Sequence, residues 1–356
     1  MMSLVDLFCD MVRVDSESGD EAAFVQHAKE LLEREFHAVC ELDAYGNLIA
    51  HIDGLESSAA PVALSAHADT VKPGVGIEPV VEDGVVRSAG ETILAADDKA
   101  GLAEIIEAIR TAERHPPIDV ILTLGEEVGL LGARNLDLGK VRAKMAFVID
   151  GEHLHDVVIG GPTHILLDIT VVGRASHAGM EPEKGISAIR VASAAIAQMP
   201  EGRIDVETTA NVGIIEGGLV RNGVPERCAV TAECRSLDHD KAIAQAAKMR
   251  EAFESAAAEA GARVEIDETI AYRASSIAGD APVVKTALDA VRSVGIDPVA
   301  KTITGGTDAL ILCNRGIDAV VLGTGVRDAH ATSEHVTVAD LETASSILRN
   351  LLESLA

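Results

Sequence analysis

Hydrophobic and polar positions along this chain fall into blocks of distinct period. Residues 2–14 carry apolar positions at helical spacing, and "DSESGDEAAFVQHAKELLEREF" reads as a turn followed by a long amphipathic helix. Ser16 or Ser18 is expected to cap that helix, with acidic residues in the first turn where the helix dipole favours them. Short strands follow at 37–42 and 48–52, then an apolar run at 61–66. "DDKAGLAEIIEAIRTAERH" predicts a helix that Pro116-Pro117 ends. The runs at 119–124 and 145–150 are continuously apolar, as in strands buried on both faces. Strands alternating with helices in this way predict an α/β layer structure.

The texture changes after "IGGPTH". Residues 165–172 alternate in part, 187–198 form an Ala/Ile-rich helix, and "ANVGIIEGG" and "RCAVTAECRS" are strand-like. A long Ala-rich helix at 238–260 then precedes "ARVEIDETI". This β-α-β-β-α-β order predicts a ferredoxin-like α+β domain with helices on one face of an antiparallel sheet. From about 275 the α/β alternation resumes, through "PVVKTALDAVRSVG", "AVVLG" and a last helix at 338–354. The expected organisation is an α/β domain with a mixed sheet, residues 1–163 and 274–356, interrupted by an inserted domain at 164–273.

Composition narrows the partners. The chain has 356 residues, 47% hydrophobic and 2% aromatic, so its core must be built mainly from Ala, Val, Ile and Leu. A formal charge of −27 argues against nucleic acid or an anionic membrane as a partner, since both require a positive face. The five cysteines, Cys9, Cys40, Cys228, Cys234 and Cys313, include no CxxC pair, which fits reduced thiols and a cytoplasmic location. No signal peptide is expected from the N-terminal residues, and no apolar run approaches the ~18–20 residues of a membrane span.

Polar groups of the kind that bind metals recur at the ends of the apolar runs. His67-Ala68-Asp69 follows 61–66, Asp97-Asp98-Lys99 follows "ETILAA", Glu126-Glu127 follows "DVILTLG", and Asp150 follows "MAFVI". Any one of these alone is an ordinary solvated turn or strand end. In open α/β sheets, however, ligands bind at the carboxyl ends of strands, and several carboxylates converging there repel one another unless a cation sits among them. The pair in "SAHADTV" leaves open whether His67 and Asp69 are both ligands or one supports the other.

In order along the chain, "SAHADTV", "AADDKAG", "TLGEEVGLLGA", "VIDGE", "SHAGMEPEKGISAI", "GGLVRNGVPE", "ECRSLD", "GGTDA" and "HATSEHVTV" resemble the dinuclear-zinc family of peptidase T, carboxypeptidase G and the aminoacylases. The resemblance covers nearly the whole chain, and "LGEEVGLLGA" and "GGTDA" draw it toward peptidase T. It implies a zinc-exopeptidase-like catalytic domain with an inserted lid and dimerisation domain. It also implies two zinc ions, with cobalt or manganese as substitutes, held by His67, Asp97, Glu127, Asp150 and His330. Asp97 would bridge the two ions. Glu126 would be the acid–base, worth about 10²–10⁴-fold in rate. The Asp97–Asp98 peptide would be cis. His330 is preferred to His335 because the family's closing motif has a Glu four residues and an aliphatic residue six residues after the ligand, and Glu334 and Val336 fit.

The resemblance further implies that His177, Arg235 and Asn222 contact substrate, with a guanidinium fork suited to a substrate carboxylate. Gly306 and Thr307 would lie in a loop near the substrate. Peptidase T tends to carry an arginine before "GGTD", where this chain has Thr304, a departure in substrate recognition. Asp69 is assigned to support His67 by accepting a hydrogen bond from its second ring nitrogen. The expected activity is exopeptidase cleavage of small peptides by a homodimer. The alternatives are an N-acyl-amino-acid deacylase or carboxypeptidase of the same family, and a metal-free binding protein on the same scaffold. A dinucleotide enzyme is disfavoured, because "GTGVRDA" lacks the third glycine of GxGxxG.

Overall fold

A computed structural model describes residues 2–356. The chain divides into two units, one running to Gly160 and resuming at Ser276, the other being Gly161–Ser275. The expected insertion, 164–273, lies inside the second unit. The extra residues at its start lead into the strand Thr163–Val172.

The first unit is organised by four parallel neighbours in the order Ile118–Thr123, Val62–His67, Met145–Gly151 and Asp318–Gly323. Leu48–Ile52 joins antiparallel beside Ile118–Thr123, and Asp156–Gly161 antiparallel beside Asp318–Gly323, so the sheet is mixed. Alternate side chains of each strand feed two separate cores. Leu64, Val120, Leu122, Phe147, Ile149 and Val320 pack with the helices Ala96–Thr111 and Val338–Leu355. Ala63, Ile121, Ala146, Val148 and Val321 pack on the other face with Ala309 and Leu312 of Asp308–Asn314. Burial on both faces explains why these strands read as continuous apolar runs.

The topology also has a switch point. From Val62–His67 the chain crosses to Ile118–Thr123 on one side, then returns to Met145–Gly151 on the other. Connections diverge at the carboxyl end of Val62–His67, which is where open α/β sheets bind ligands.

In the second unit the strand order is Thr208–Gly217, Arg227–Ser236, Thr163–Val172, Arg263–Tyr272, all antiparallel, as a ferredoxin-like fold requires. Ile165, Leu167, Ile169 and Val171 face the helices Ala188–Gln198 and His239–Ala260. Asp168 and Thr231 are exposed, so this sheet shows the alternation of a half-covered surface.

One local expectation is corrected. The amphipathic helix is Ala22–Phe36, with Glu21 at its N-cap, no side-chain cap and no acidic residue in its first turn; Ser16 and Ser18 lie ahead of the cap position, and Ser18 donates to Asp69 instead. A hairpin, Pro79–Glu82 and Val85–Ser88, adds to the expected elements and turns at Asp83-Gly84, both with positive φ. His335–Thr337 pairs onto it and thereby fixes one end of the loop that carries His330.

Candidate metal centre

Five of the expected residues converge. His67 ends its strand with Nε2 2.9 Å from Asp97 Oδ1 and 3.6 Å from Asp150 Oδ1. Across Asp97, His330 Nε2 lies 3.4 Å from Oδ2 and 2.8 Å from Glu127 Oε1. His67, Asp97 and Asp150 each offer a ligand atom within 4.8 Å of the others, and so do Asp97, Glu127 and His330. Asp97 belongs to both groups and turns one oxygen toward each histidine.

The local backbone explains the convergence. The Asp97–Asp98 peptide is cis, and both residues depart from helical dihedrals at the start of Ala96–Thr111. Glu334, almost fully buried, grips this turn: one carboxylate oxygen accepts the Leu94 and Ala95 N–H groups at 2.8 and 2.9 Å, and the other accepts Asp97 N–H at 2.9 Å. His330 adopts φ +67 in the loop that Glu334 closes.

The tautomer of His67 follows from its surroundings. Its Nδ1 lies 2.9 Å from the Asp69 carbonyl, so Nδ1–H donates there and Nε2 is the nitrogen turned toward Asp97 and Asp150. This differs from the expectation for Asp69. Its carboxylate stands 3.5 Å from that nitrogen and is occupied by other donors. Oδ1 accepts Glu126 N–H at 2.8 Å, while Oδ2 accepts Glu127 N–H at 3.2 Å and the Ser18 hydroxyl at 2.7 Å. Asp69 therefore supports His67 with its main chain and the Glu126-Glu127 loop with its side chain.

The electrostatics are those of acids gathered out of water. Burial raises Asp150 to about 7, reinforced by Asp97 and Asp308 and opposed by His67. Burial likewise lifts Glu126 well above the usual carboxylate range, with Asp150, Asp308 and Glu127 adding to it against His67. Asp97 is held low despite burial, by His330 and His67. Glu127 Oε1 makes no hydrogen bond among the described residues, although the His330 ring nitrogen is 2.8 Å away. Both atoms converge with Asp97 on one point, where a cation can take all three as ligands. The donor set, imidazole nitrogen and carboxylate oxygen with one carboxylate shared, fits zinc or another divalent metal.

The other expected residues are placed as follows. Thr307 is buried and its hydroxyl accepts Ala309 N–H as the N-cap of Asp308–Asn314; Gly306 lies in the loop before it. His177, in the inserted unit, is exposed, with Nδ1 accepting Gly179 and Met180 N–H at 3.1 Å. The Asn222 carbonyl accepts the neighbouring Ala178 N–H at 3.0 Å. Arg235 is engaged by Glu233, at 3.1 and 3.3 Å.

Asp308, Glu334 and Ser18 had not been singled out as site residues. Asp308 is buried and accepts the Thr123 hydroxyl at 2.5 Å, and burial raises it to about 6. "GGTD" and the Glu four places after His330 were signals for the first two.

Comparison with known proteins agrees with this geometry. Residues 163–261 match the model of a peptidase dimerisation domain, and residues 47–158 that of peptidase family M28. The chain is 37% identical to the uncharacterized protein YqjE of Bacillus subtilis, over 99% of this chain and 98% of the other. Its structure is similar to that of aminopeptidase PepT from Bacillus cereus, with a TM-score of 0.88, 37% identity and coverage of 99% and 98%. It is also similar to a tripeptidase from Staphylococcus aureus, with a TM-score of 0.93, 31% identity and coverage of 99% and 97%. The chain belongs to the M20 family of dinuclear metallopeptidases. Within that family it is peptidase T-like.

Proposed function

We propose that this metal-dependent exopeptidase of small peptides binds two zinc ions and uses Glu126 as its acid–base. His67 and Asp150 would hold one ion, Glu127 and His330 the other, and Asp97 both. Two divalent cations so placed supply Lewis-acid polarisation of a carbonyl and a water acidified toward neutral pH. Glu126 would take a proton from the attacking water as its oxygen bonds to the peptide carbonyl carbon. The same carboxyl would return that proton to the departing amine nitrogen as the C–N bond breaks. The observation that carries this reading is the anchoring of two adjacent glutamates by one buried carboxylate. Asp69 holds both backbone N–H groups, so the loop can commit Glu127 to a metal and leave Glu126 for proton transfer.

Arg235 is proposed to receive a substrate carboxylate in exchange for Glu233, and His177 and Asn222 to complete the substrate contacts. The matched dimerisation domain supports a homodimer. Beyond Val212, whose N–H the Glu201 carboxylate accepts at 3.1 Å, the outer edge of Thr208–Gly217 has no strand partner among the described residues, with Ile214, Ile215, Leu219 and Val220 exposed nearby. Such an edge is a template for strand pairing with a second copy.

No helix among the described residues is long and apolar enough to cross a membrane. A cytoplasmic, reduced setting is proposed from the five cysteines, none of which is in a disulfide.

The test is hydrolysis by protein loaded with zinc, cobalt or manganese. Tripeptides and dipeptides with a free amino terminus should be cleaved in preference to N-acetyl and N-succinyl amino acids. Turnover of the acylated set alone would overturn the aminopeptidase reading in favour of a deacylase.

A further inference from the structure

Ser18 has the sequence context of a helix cap yet caps nothing. Its hydroxyl donates to Asp69 Oδ2 at 2.7 Å, 51 positions away in the chain. The segment carrying it lies alongside the residues that follow His67. Thr70 N–H donates to the Ser16 carbonyl at 3.0 Å, Ser18 N–H to the Thr70 carbonyl at 3.2 Å, and Glu17 forms a parallel bridge with Thr70. Glu17 also accepts Gly74 N–H at 2.9 Å. From the other end, buried Lys99 donates to the Val14 carbonyl at 2.6 Å and lies 4.7 Å from the Phe24 ring centroid. Residues 14–18 are thus fastened on both sides, and Ser18 is a fixed donor rather than a mobile surface hydroxyl.

We propose that Ser18 is a positioning residue for Glu126, acting through the Asp69 carboxylate. The proposal rests on the reading of Glu126 as the acid–base. Asp69 is 1% exposed, and its two oxygens divide three donors: Glu126 N–H on one, Glu127 N–H and the Ser18 hydroxyl on the other. The Ser18 hydroxyl makes the shortest of the three bonds, 2.7 Å against 3.2 Å for the Glu127 N–H that shares its oxygen, and so fixes the turn of the carboxylate. Without the Ser18 hydroxyl, Oδ2 keeps only the Glu127 N–H at 3.2 Å, and the carboxylate is free to turn its Oδ1 from Glu126 N–H toward the His67 Nδ1–H group, 3.5 Å away. The Glu126-Glu127 loop would then lose its register while the ligand side chains remain intact. Ser18 is neutral, so its effect is geometric and leaves the charge of the centre unchanged.

The experiment compares Ser18→Ala, Ser18→Thr, Glu126→Gln and the Ser18→Ala/Glu126→Gln double variant, all metal-loaded, with a tripeptide substrate. Ser18→Ala should lower kcat about 10-fold, the low end for groups that orient a metal site from behind, with KM within about twofold and metal content unchanged. Ser18→Thr should restore most of the loss, since it keeps the donor. In the Glu126→Gln background, Ser18→Ala should have little further effect, because coupled groups are not additive. A readout independent of turnover is amide hydrogen exchange in metal-free protein, which should quicken at Glu126 and Glu127 in Ser18→Ala. A Ser18→Ala enzyme with kcat within twofold of the parent overturns the proposal, as does a full 10-fold effect in the Glu126→Gln background. Loss of metal or of folding stability in step with activity would make Ser18 merely structural and overturn it too. Near-normal turnover in Glu126→Gln overturns the acid–base reading itself, and this proposal with it.

Discussion

The two sheets of this chain are built under opposite rules, and the contrast shows why one of them suits the proposed chemistry. In the first unit, Val62–His67 and Ile118–Thr123 are buried at every position, serving a different core on each face. In the second, Arg227–Ser236 alternates buried and open positions along most of its length. A strand packed on both sides has little freedom to move at its end. Side chains that leave it, such as His67, can be aimed to fractions of an ångström, as metal ligation and proton transfer demand. The half-covered sheet offers exposed polar groups instead, and Arg235 on it is already satisfied by Glu233.

The sharpest way to break this comparison is at Glu126. Glu126→Gln keeps the Asp69 anchor, which binds only the backbone N–H, and leaves the proposed ligands untouched. It should retain both metals and lose about 10²–10⁴-fold in kcat. Measured turnover within tenfold of the parent, with metal content equal, would remove the doubly covered sheet's claim to the acid–base.

A second measurement concerns the scaffold. Leu64 is fully buried two positions before Ala66 on the face shared with Phe147 and Ile149. Leu64→Ala leaves a cavity beneath the His67 strand and should cost about 2–5 kcal/mol in urea unfolding. A loss under 1 kcal/mol would mean that the strand is less tightly held than its burial indicates.

Legibility in the sequence divides along the same line. Fully buried strands announce themselves as apolar runs, so 61–66, 119–124 and 145–150 were visible, and their ends marked His67, Glu126-Glu127 and Asp150. The ferredoxin-like insertion was visible from alternation and element order. The Asp83-Gly84 hairpin is also legible in the chain, as Asp-Gly between Val80-Val81 and Val85-Val86, a strong turn signal. Other features leave no local trace. Whether Ser18 caps its own helix or reaches Asp69 depends on how distant segments meet, since its local context suits both. That the Asp69 carboxylate binds the Glu126 and Glu127 backbone was equally hidden, because N–H donors carry no residue signature. Glu334 was visible only as part of a spacing, and its grip on the turn at Leu94–Asp97 required the fold.

The smallest expected effect tests the half-covered sheet directly. Thr231 is exposed on Arg227–Ser236, and its one side-chain hydrogen bond among the described residues, to Asp168 on the neighbouring strand, is stretched to 3.5 Å. A valine there removes that weak contact and exposes a methyl group in place of a hydroxyl, while β-branching suits the strand. The two changes oppose each other and each is small, so Thr231→Val should shift unfolding stability by less than about 0.5 kcal/mol. A stabilisation or loss well above 1 kcal/mol, measured in the same urea titration as Leu64→Ala, would show that this face is covered in solution. The proposed homodimer supplies a covering surface, and the shift should then grow with protein concentration, because association stabilises only the folded chain. A shift independent of concentration would place the cover within the protomer, and the contrast between the two sheets would then be one of degree.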